Sequence, residues 1–195
     1  MAKKAEQRRK QILKAAFQAA SEKGYESVTL QDIADYADVS KGVTNYYFKN
    51  KGDVFAHLFE WITTRIYEKE AESVEEKNTA LEKLDAYLSQ VFISPSENRT
   101  FYRVYLDFLS QVKNDDRYKE INQRFYENCW SIGEQIIQQG IKEDAFQVED
   151  IQQAAKSIRA MIDGSLIQWL MRDDDELHKD YRKMCYDSIL RILSR

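Results

Sequence analysis

Apolar side chains recur along this chain at spacings of three and four residues almost from end to end. Such spacing places them on one face of an α-helix. The first clear example comprises Leu30, Ile33, Ala34 and Ala37. Helix breakers are scarce, since the sequence has one proline and six glycines, and each can be placed at a helix boundary. The pattern predicts an all-α fold of about nine helices.

Capping residues and apolar faces set the expected helix bounds. The predicted helices cover residues 4–23, 30–37, 41–47, 51–70, 79–92, 97–113, 116–139, 149–172 and 176–193. A run of Glu and Lys from Glu70 to Lys77, with Val74 as its sole apolar anchor, predicts a junction between two halves of the chain.

Three helix starts follow one another closely between Thr29 and Asp53. Thr29 and Asp32 form a capping-box pattern, in which the hydroxyl and the carboxylate satisfy free amides at the helix start. Ser40 is a suitable N-cap for the next short helix, and Asn50 with Asp53 repeats the box-like pattern. Val39 would fill the turn between the first two of these helices.

The short helix 41–47 has an unusual outer surface. Its exposed positions are Lys41, Gly42, Val43, Asn45 and Tyr46, where a solvated helix would be rich in Glu and Lys. Small, amide and aromatic side chains favour contact with another molecule over contact with water. The pattern predicts a binding surface.

Residues 40–51, SKGVTNYYFKNK, resemble the recognition helix and following turn of TetR-type transcriptional regulators. Similar spacing extends over roughly the first fifty residues. The family's Gly-aromatic end of the first helix is met by Gly24 and Tyr25, and its Thr-x-x-x-Ile-Ala pattern by Thr29, Ile33 and Ala34. The resemblance implies a helix-turn-helix domain over residues 1–51 and a helical ligand-binding and dimerisation domain over residues 52–195.

Four positions depart from the family pattern. Thr44 replaces a core Leu or Ile, Asn45 replaces a Tyr, and Asp38 and Asp144 replace glycines. The change at Asn45 predicts a different half-site sequence with DNA binding retained. The segment Gly140 to Phe146 otherwise resembles the family's closing turn after the seventh helix.

The resemblance implies that the short helix enters the major groove of double-stranded DNA. Asn can bind adenine bidentately, Lys can donate to guanine, and a Val methyl can contact a thymine methyl. Phosphates would be held by Tyr47, Lys51 and helix-start amides, while Tyr47 could equally be a core residue. The expected DNA-binding residues are Thr29, Lys41, Gly42, Val43, Asn45, Tyr46, Tyr47 and Lys51.

Charge is divided unevenly along the chain. Residues 1–51 hold ten Lys and Arg against six Asp and Glu, whereas the remainder holds nineteen against twenty-seven, within a total net charge of −4. A basic N-terminal part is what a DNA-binding domain needs to attract phosphates. A basic stretch that is merely solvated is the alternative.

The last two predicted helices have apolar residues around too much of their circumference for one neighbour to cover. The resemblance implies that they meet their counterparts in a homodimer, and a well-buried monomeric bundle is the alternative. The predicted interface residues are Ile158, Met161, Leu166, Tyr181, Met184, Ile189 and Ile192.

Aromatic side chains are frequent in predicted helices four to eight. Such a stripe is ordinarily core, but the resemblance implies a pocket for a small inducer, whose chemistry would be apolar or aromatic with a few polar contacts. The candidates are Trp61, Tyr102, Tyr105, Phe108, Phe125, Trp130 and Trp169. Arg103, Asp107, Arg159 and Asp163 are polar candidates that could equally be surface or interhelical ions.

Other functional classes find little support. His57 and His178 lie far apart with no metal-ligand spacing, no glycine-rich phosphate loop occurs, and Cys129 and Cys185 are expected to be buried reduced thiols. No cofactor or metal is therefore expected. No stretch approaches the roughly 18 apolar residues of a membrane span, and no signal peptide is evident, so a cytoplasmic protein is expected.

The sequence thus predicts a homodimeric, ligand-responsive regulator, a repressor released from a palindromic operator, and no enzyme. Two alternatives stay open. One is a DNA-binding regulator controlled by a protein partner, and the other is an all-helical enzyme or ligand carrier.

Overall fold

The computed structural model describes residues 2–172 and 174–194, and the helices there number nine. They are α1 (Ala2–Lys23), α2 (Leu30–Tyr36), α3 (Lys41–Tyr47), α4 (Lys51–Glu75), α5 (Ala80–Val91), α6 (Pro95–Ser110), α7 (Asp116–Lys142), α8 (Ile151–Leu170) and α9 (Leu177–Leu193). A short 3₁₀ turn, Gln111–Lys113, follows α6. No β-strand occurs among the described residues, so the predicted all-α class is confirmed.

The predicted junction at residues 70–77 is wrong for most of its length. Helix α4 continues through this segment to Glu75, well past the expected end at Glu70. Glu70 and Val74 are both buried, with 2% and 3% of their surface exposed. They lie four and eight positions after Ile66, so they continue the apolar row of the same helix face.

The fold consists of two compact units. The first contains residues 1–63 and 103–122, and the second contains residues 64–102 and 123–195. Residues 51–63 of α4 thus belong to the first unit and residues 64–75 to the second.

The first unit is built on the predicted N-terminal helices. Ile12 of α1 and Ile33 of α2 are completely buried, as are Phe55 and Phe59 of α4. The Phe59 ring lies 4.7 Å from that of Phe108, between ring centroids. Residues 103–122 therefore supply part of this core through α6 and α7.

The second unit contains the last two helices as a packed pair. Their buried residues include Ile162, Leu166 and Trp169 of α8 and Cys185 and Ile189 of α9, each fully buried. Cys129 of α7 is also buried, and neither cysteine forms a disulfide, as expected. Within residues 2–172 and 174–194, none of the helices has an apolar stretch that could span a bilayer.

Three of the residues that the structure describes adopt the left-handed backbone region. Gly24 ends α1 with φ 77°, and its amide bonds to the Ala20 carbonyl at 2.8 Å, which confirms the predicted C-cap. Asp38 and Asp144 have φ 49° and 54°. These are the two positions where the sequence departs from a family glycine, and short polar residues tolerate this conformation at a modest energetic cost.

Candidate nucleic-acid interface

Helix α2 begins with the predicted capping box at Thr29. The Asp32 amide donates to the Thr29 hydroxyl at 3.1 Å, and the Thr29 amide donates to the Asp32 carboxylate at 2.8 Å. Lys23 also donates to Asp32, at 2.5 Å. The contact with Lys23, together with the bonds from Thr29, holds the pKa of the Asp32 carboxyl well below its usual range. The box fixes where α2 starts relative to the end of α1.

A tight turn joins α2 to α3. The Val39 amide donates to the Ala34 carbonyl at 3.0 Å, and the Gln11 side chain of α1 donates to the Ala37 carbonyl at 2.6 Å. Ser40 then caps α3, with its hydroxyl 3.4 Å from the Val43 amide. These bonds confirm the predicted Ser40 cap and hold α3 at a defined start.

Helix α3 presents most of its predicted binding residues to solvent. Tyr46 is 82% exposed. Lys41, Gly42 and Asn45 are exposed as well, while Val43 and Tyr47 are half-buried. The Tyr46 and Tyr47 rings meet edge to face at 5.0 Å. The exposed face therefore offers a cation, an amide and a phenol together.

The opposite face of α3 holds it in the first unit. Thr44 is completely buried, and its hydroxyl has no hydrogen-bond partner among the described residues. Phe48 is buried too, with the Arg9 guanidinium 4.9 Å above its ring and the His57 ring at 5.5 Å. Thr44 thus occupies the core position expected of the apolar family residue.

Helix α4 begins with a variant of the predicted box. The Asp53 amide donates to the Asn50 side chain at 2.9 Å, but the Asp53 carboxylate accepts from the Lys49 amide at 2.9 Å instead of from Asn50. Arg117 of α7 also donates to this carboxylate, at 3.0 Å. Burial alone would raise the pKa of Asp53, but the bonds from Lys49 and Arg117 outweigh it and the pKa lies below its usual value.

Lys51 already has partners within the first unit. Its ammonium donates to the carbonyls of Tyr25 and Glu26 at 2.9 and 3.1 Å, and it lies 4.6 Å above the Tyr25 ring. Lys51 therefore ties the start of α4 to the turn after α1. Its expected contact with a DNA phosphate stays a prediction.

The predicted dimer residues fall into two groups. Ile158, Leu166 and Ile189 are 5%, 0% and 0% exposed within the single chain, so their side chains have little or no free surface. They are buried residues of the α8 and α9 pair, and their place in a dimer interface stays a prediction. Met184 is 46% exposed. Met161, Tyr181 and Ile192 are half-buried and retain surface that a partner could cover.

The predicted ligand residues are divided between the two units. Trp61, Tyr105 and Phe108 belong to the first unit, and the others to the second. Tyr105 and Phe108 are buried against Phe59 and serve its core. The remaining residues of the set are Tyr102, Phe125, Trp130 and Trp169.

The second-unit aromatics have individual partners. The Phe125 ring lies 5.1 Å below the Arg159 guanidinium, and Trp130 stacks on Tyr126 at 6.0 Å. Trp169 is fully buried and donates to the Asp174 carbonyl at 2.9 Å. Tyr102 is buried and its hydroxyl lies 3.2 Å from Asp163. Of these four, Tyr102 and Phe125 adjoin buried charged groups.

Two of the polar candidates lie in the interior. Arg159 is 4% exposed and Asp163 is 9% exposed, and they form an ion pair on α8 with nitrogen and oxygen 3.0 Å apart. Arg103 is exposed, and Asp107 accepts from the Tyr25 amide at 2.9 Å. Glu70 is also buried, but it is not among the candidate residues predicted from the sequence, although its position on the apolar row of α4 indicates burial.

Comparison with known proteins identifies the class that this fold and exposed helix define. Residues 12–58 match the model of the bacterial regulatory proteins of the tetR family, and residues 80–194 match that of the BetI-type transcriptional repressor, C-terminal. The chain belongs to the TetR family of transcriptional regulators, which bind DNA through a helix-turn-helix.

Particular relatives cover most of the chain. The fatty acid metabolism regulator protein of Bacillus subtilis is 29% identical over 167 residues, 84% of each chain. The crystal structure of the FadR regulator from Bacillus subtilis with stearoyl-CoA has a TM-score of 0.70, is 26% identical, and covers 90% of this chain and 96% of that one. A Saccharomonospora viridis regulator crystallised with choline has a TM-score of 0.87 at 21% identity, covering 96% and 97% of the two chains.

Proposed function

We propose that the protein is a homodimeric regulator that binds a palindromic operator through α3 and leaves it when a small molecule occupies the second unit. The observation that carries the proposal is the exposed face of α3, on which Lys41, Asn45 and Tyr46 all face solvent. Amide and ammonium groups are the donors that distinguish base pairs in the major groove. The division at residues 51 and 52 into a DNA-binding and a regulatory domain is part of the proposal, as is a cytoplasmic site of action.

The regulatory half of the proposal draws on the relatives. Regulators with this fold have been crystallised with choline and with stearoyl-CoA. Both show that proteins of this fold can hold a small-molecule ligand, and for this chain we propose a small apolar or aromatic inducer in the second unit. We also propose a repressor's role, with no enzymatic activity, because residues 80–194 match the model of the BetI-type transcriptional repressor.

Duplex binding at several salt concentrations tests the DNA assignment. Non-specific duplex should bind with an affinity that falls steeply with salt, because phosphate contacts release counterions. Lys51→Ala should reduce the magnitude of the log–log salt slope by about one. Lys119→Ala, which removes an exposed cation of α7, is the matched control and should leave the slope unchanged.

The thermal stability of the Lys51 variant must be measured together with its salt slope. Lys51 also donates to two backbone carbonyls, so its removal could destabilise the fold. A folded variant with an unchanged slope would remove Lys51 from the phosphate contacts. Salt-independent duplex binding by the wild type would contradict the DNA assignment itself.

Sedimentation tests the homodimer. Met184→Glu places a charge on the exposed apolar surface of α9 and should shift the protein towards monomer without unfolding it. Leu81→Glu is the control, since Leu81 of α5 is similarly exposed, at 43%. A wild type that sediments as a monomer at micromolar concentration would contradict the dimer.

A further inference from the structure

Helix α3 is too short to hold its own position. It has seven residues, and isolated helices of that length are not stable in water. Its start is fixed by the Ser40 cap, and its end passes into Phe48, which is buried and has an extended backbone. The contacts of the turn that follows therefore help to set the direction in which the outer face of α3 points.

The Asp53 carboxylate holds this turn. Its Oδ2 accepts from the Lys49 amide at 2.9 Å, and Lys49 is the first residue beyond the C-cap of α3. Its other oxygen, Oδ1, accepts from Arg117 Nη1 at 3.0 Å, whereas His57 Nδ1 lies farther away, at 3.5 Å. Asp53 is 9% exposed, so water has little access to its carboxylate. Arg117 of α7 is thus the guanidinium that orients the group holding the turn.

Arg117 is itself held by Asp115. The Arg117 Nε lies 3.1 and 3.0 Å from the two carboxylate oxygens of Asp115, and Nη2 donates to Oδ2 at 2.7 Å. The Arg117 amide donates to the same carboxylate at 3.0 Å. These bonds lower the pKa of the Asp115 carboxyl. A guanidinium fork can meet two carboxylates in a fixed geometry, which an ammonium cannot do.

This chain of contacts begins outside the helices that form the helix-turn-helix. Arg117 and Asp115 belong to the first unit, but they lie beyond residues 12–58, which match the tetR-family model. Arg117 reaches α3 through the Asp53 carboxylate and the Lys49 amide. An effect of Arg117 on DNA recognition would therefore be transmitted through the backbone of the turn.

We propose that Arg117 is a positioning residue for DNA recognition, because it orients Asp53, which holds the Lys49 amide and with it the end of α3. The inference rests on the proposed function, since it takes α3 as the helix that recognises DNA. Base-edge contacts carry sequence preference, whereas phosphate contacts carry general affinity. Loss of Arg117 should therefore reduce the preference for the cognate sequence before it reduces binding to duplex in general.

A direct contact between Arg117 and a DNA phosphate is the competing explanation. The Arg117 side chain is 46% exposed and has surface for such a contact. A phosphate contact contributes about one to the magnitude of the log–log salt slope, whereas a positioning residue contributes nothing to it. Asp53→Asn also separates the two roles. It would free Arg117 for a phosphate and strengthen binding in one case, but in the other it would break the contact that Arg117 makes with the turn.

Arg117→Met tests the proposal with two probes: the duplex that the wild type selects from a random pool, and a scrambled duplex of the same composition. The ratio of the two affinities should fall roughly threefold, the size expected of a half-exposed charge pair. The salt slope on the scrambled duplex should not change. Lys119→Met removes an exposed cation two positions further along α7 and is the matched control, which should alter neither quantity.

Two further variants distinguish positioning from general loss of structure. Partial unfolding would lower the affinity for both duplexes alike and leave their ratio unchanged. Arg117→Lys keeps the charge but not the fork, so it should not restore the ratio. Asp53→Asn should lower the ratio at least as much as Arg117→Met, and the double variant should lower it no further, because both changes break the same contact.

Three results would overturn the inference: an unchanged ratio in folded Arg117→Met protein, a salt slope reduced by about one, or additive effects in the double variant. A wild type that shows no preference between the duplexes would contradict the proposed function and the inference together. A wild type that prefers its selected duplex, with the same preference in Arg117→Met, would contradict the inference alone.

Discussion

Helix α4 contains two buried carboxylates that the protein treats in opposite ways. Asp53, in the first unit, accepts hydrogen bonds from the Lys49 amide and from Arg117, and the pKa of its carboxyl lies below the usual value. Glu70, in the second unit, has an oxygen without a partner among the described residues, and burial raises its pKa to about 7. Pairing, more than burial as such, decides whether a carboxylate in this fold remains ionised.

The difference corresponds to two roles. The charge of Asp53 is compensated in the folded chain itself, so it fixes the start of α4 beside the short α3 helix that follows the caps at Thr29 and Ser40. Within the part of the chain that the structure describes, the carboxyl of Glu70 is left without a hydrogen-bond donor, and a proton can neutralise it.

The largest loss of stability is expected from Arg159→Met. This change removes the guanidinium that pairs with Asp163 and lies 3.8 Å from Glu70. Asp163 would lose its partner and Glu70 its one nearby positive charge, so two buried carboxylates would remain uncompensated. Removing one member of a buried ion pair typically costs roughly 3 to 5 kcal/mol. Urea unfolding measures this cost, and a loss below about 1 kcal/mol would show that these three side chains are more solvated than their burial indicates.

The double variant Arg159→Met with Glu70→Gln sharpens this measurement. With Glu70 neutral, one uncompensated carboxylate remains instead of two, so the double variant should be more stable than Arg159→Met alone at pH 8. Additive effects of the two changes would argue against coupling between Arg159 and Glu70.

A second effect is the pH dependence conferred by Glu70. A carboxyl whose pKa rises from 4.5 to about 7 on folding gives stability that is complete below pH 4.5 and lost as the pH rises through 7. The loss amounts to at most roughly 3 kcal/mol. Glu70→Gln should abolish this component and be more stable than the wild type at pH 8, as measured by unfolding at several pH values.

The charged and titratable groups near Glu70 do not obscure the pH range from 4.5 to 7 in which it is expected to act. Arg159 and Asp163 on α8 form their own ion pair, and Tyr87 and Cys129 have pKa values raised by burial, the latter to about 12. Glu72→Gln serves as the control, because Glu72 is exposed on the same helix. Identical pH profiles for wild type and Glu70→Gln would mean that Glu70 is paired in solution.

Asp53→Asn should reduce stability by less than Arg159→Met does. The stability that Asp53 contributes is lost towards low pH, whereas that of Glu70 is lost towards high pH. The lowered pKa means that the stability from Asp53 is present above its ordinary value of 3.8 and lost as the pH falls further. Loss of the charged acceptor for Lys49 and Arg117 should cost roughly 1 to 3 kcal/mol at pH 7. Thermal unfolding at pH 7 and at low pH measures it, and an unchanged midpoint at pH 7 would make the Arg117 contact dispensable.

The local structure of the first unit was largely predictable. The caps at Thr29 and Ser40, the Gly24 end of α1 and the bounds of α3 all depend on neighbouring residues in the chain, where short-range rules hold. The positive φ of Asp38 fits a position at which a family glycine is replaced, and the same holds for Asp144 in the second unit.

The second unit was harder, because its features depend on distant residues. A run of Glu and Lys suggested a junction, whereas packing keeps Glu70 and Val74 inside the continuous helix α4. The apolar excess on α8 and α9 suggested a partner chain, yet Ile158, Leu166 and Ile189 are covered within the same chain. Composition indicates that a surface will be buried but does not tell which neighbour buries it.

The most direct test of the DNA-binding surface is selection of duplexes from a random pool by the wild type and by Asn45→Ala. The wild type should enrich a palindrome whose half-sites lie about 34 to 36 Å apart or a multiple of that distance. Asn45→Ala should relax the preference at one base pair of each half-site and weaken binding to the selected duplex by roughly 1 to 3 kcal/mol. No enriched sequence, or the same sequence with undiminished affinity in both proteins, would contradict the assignment of α3 as the helix that recognises DNA.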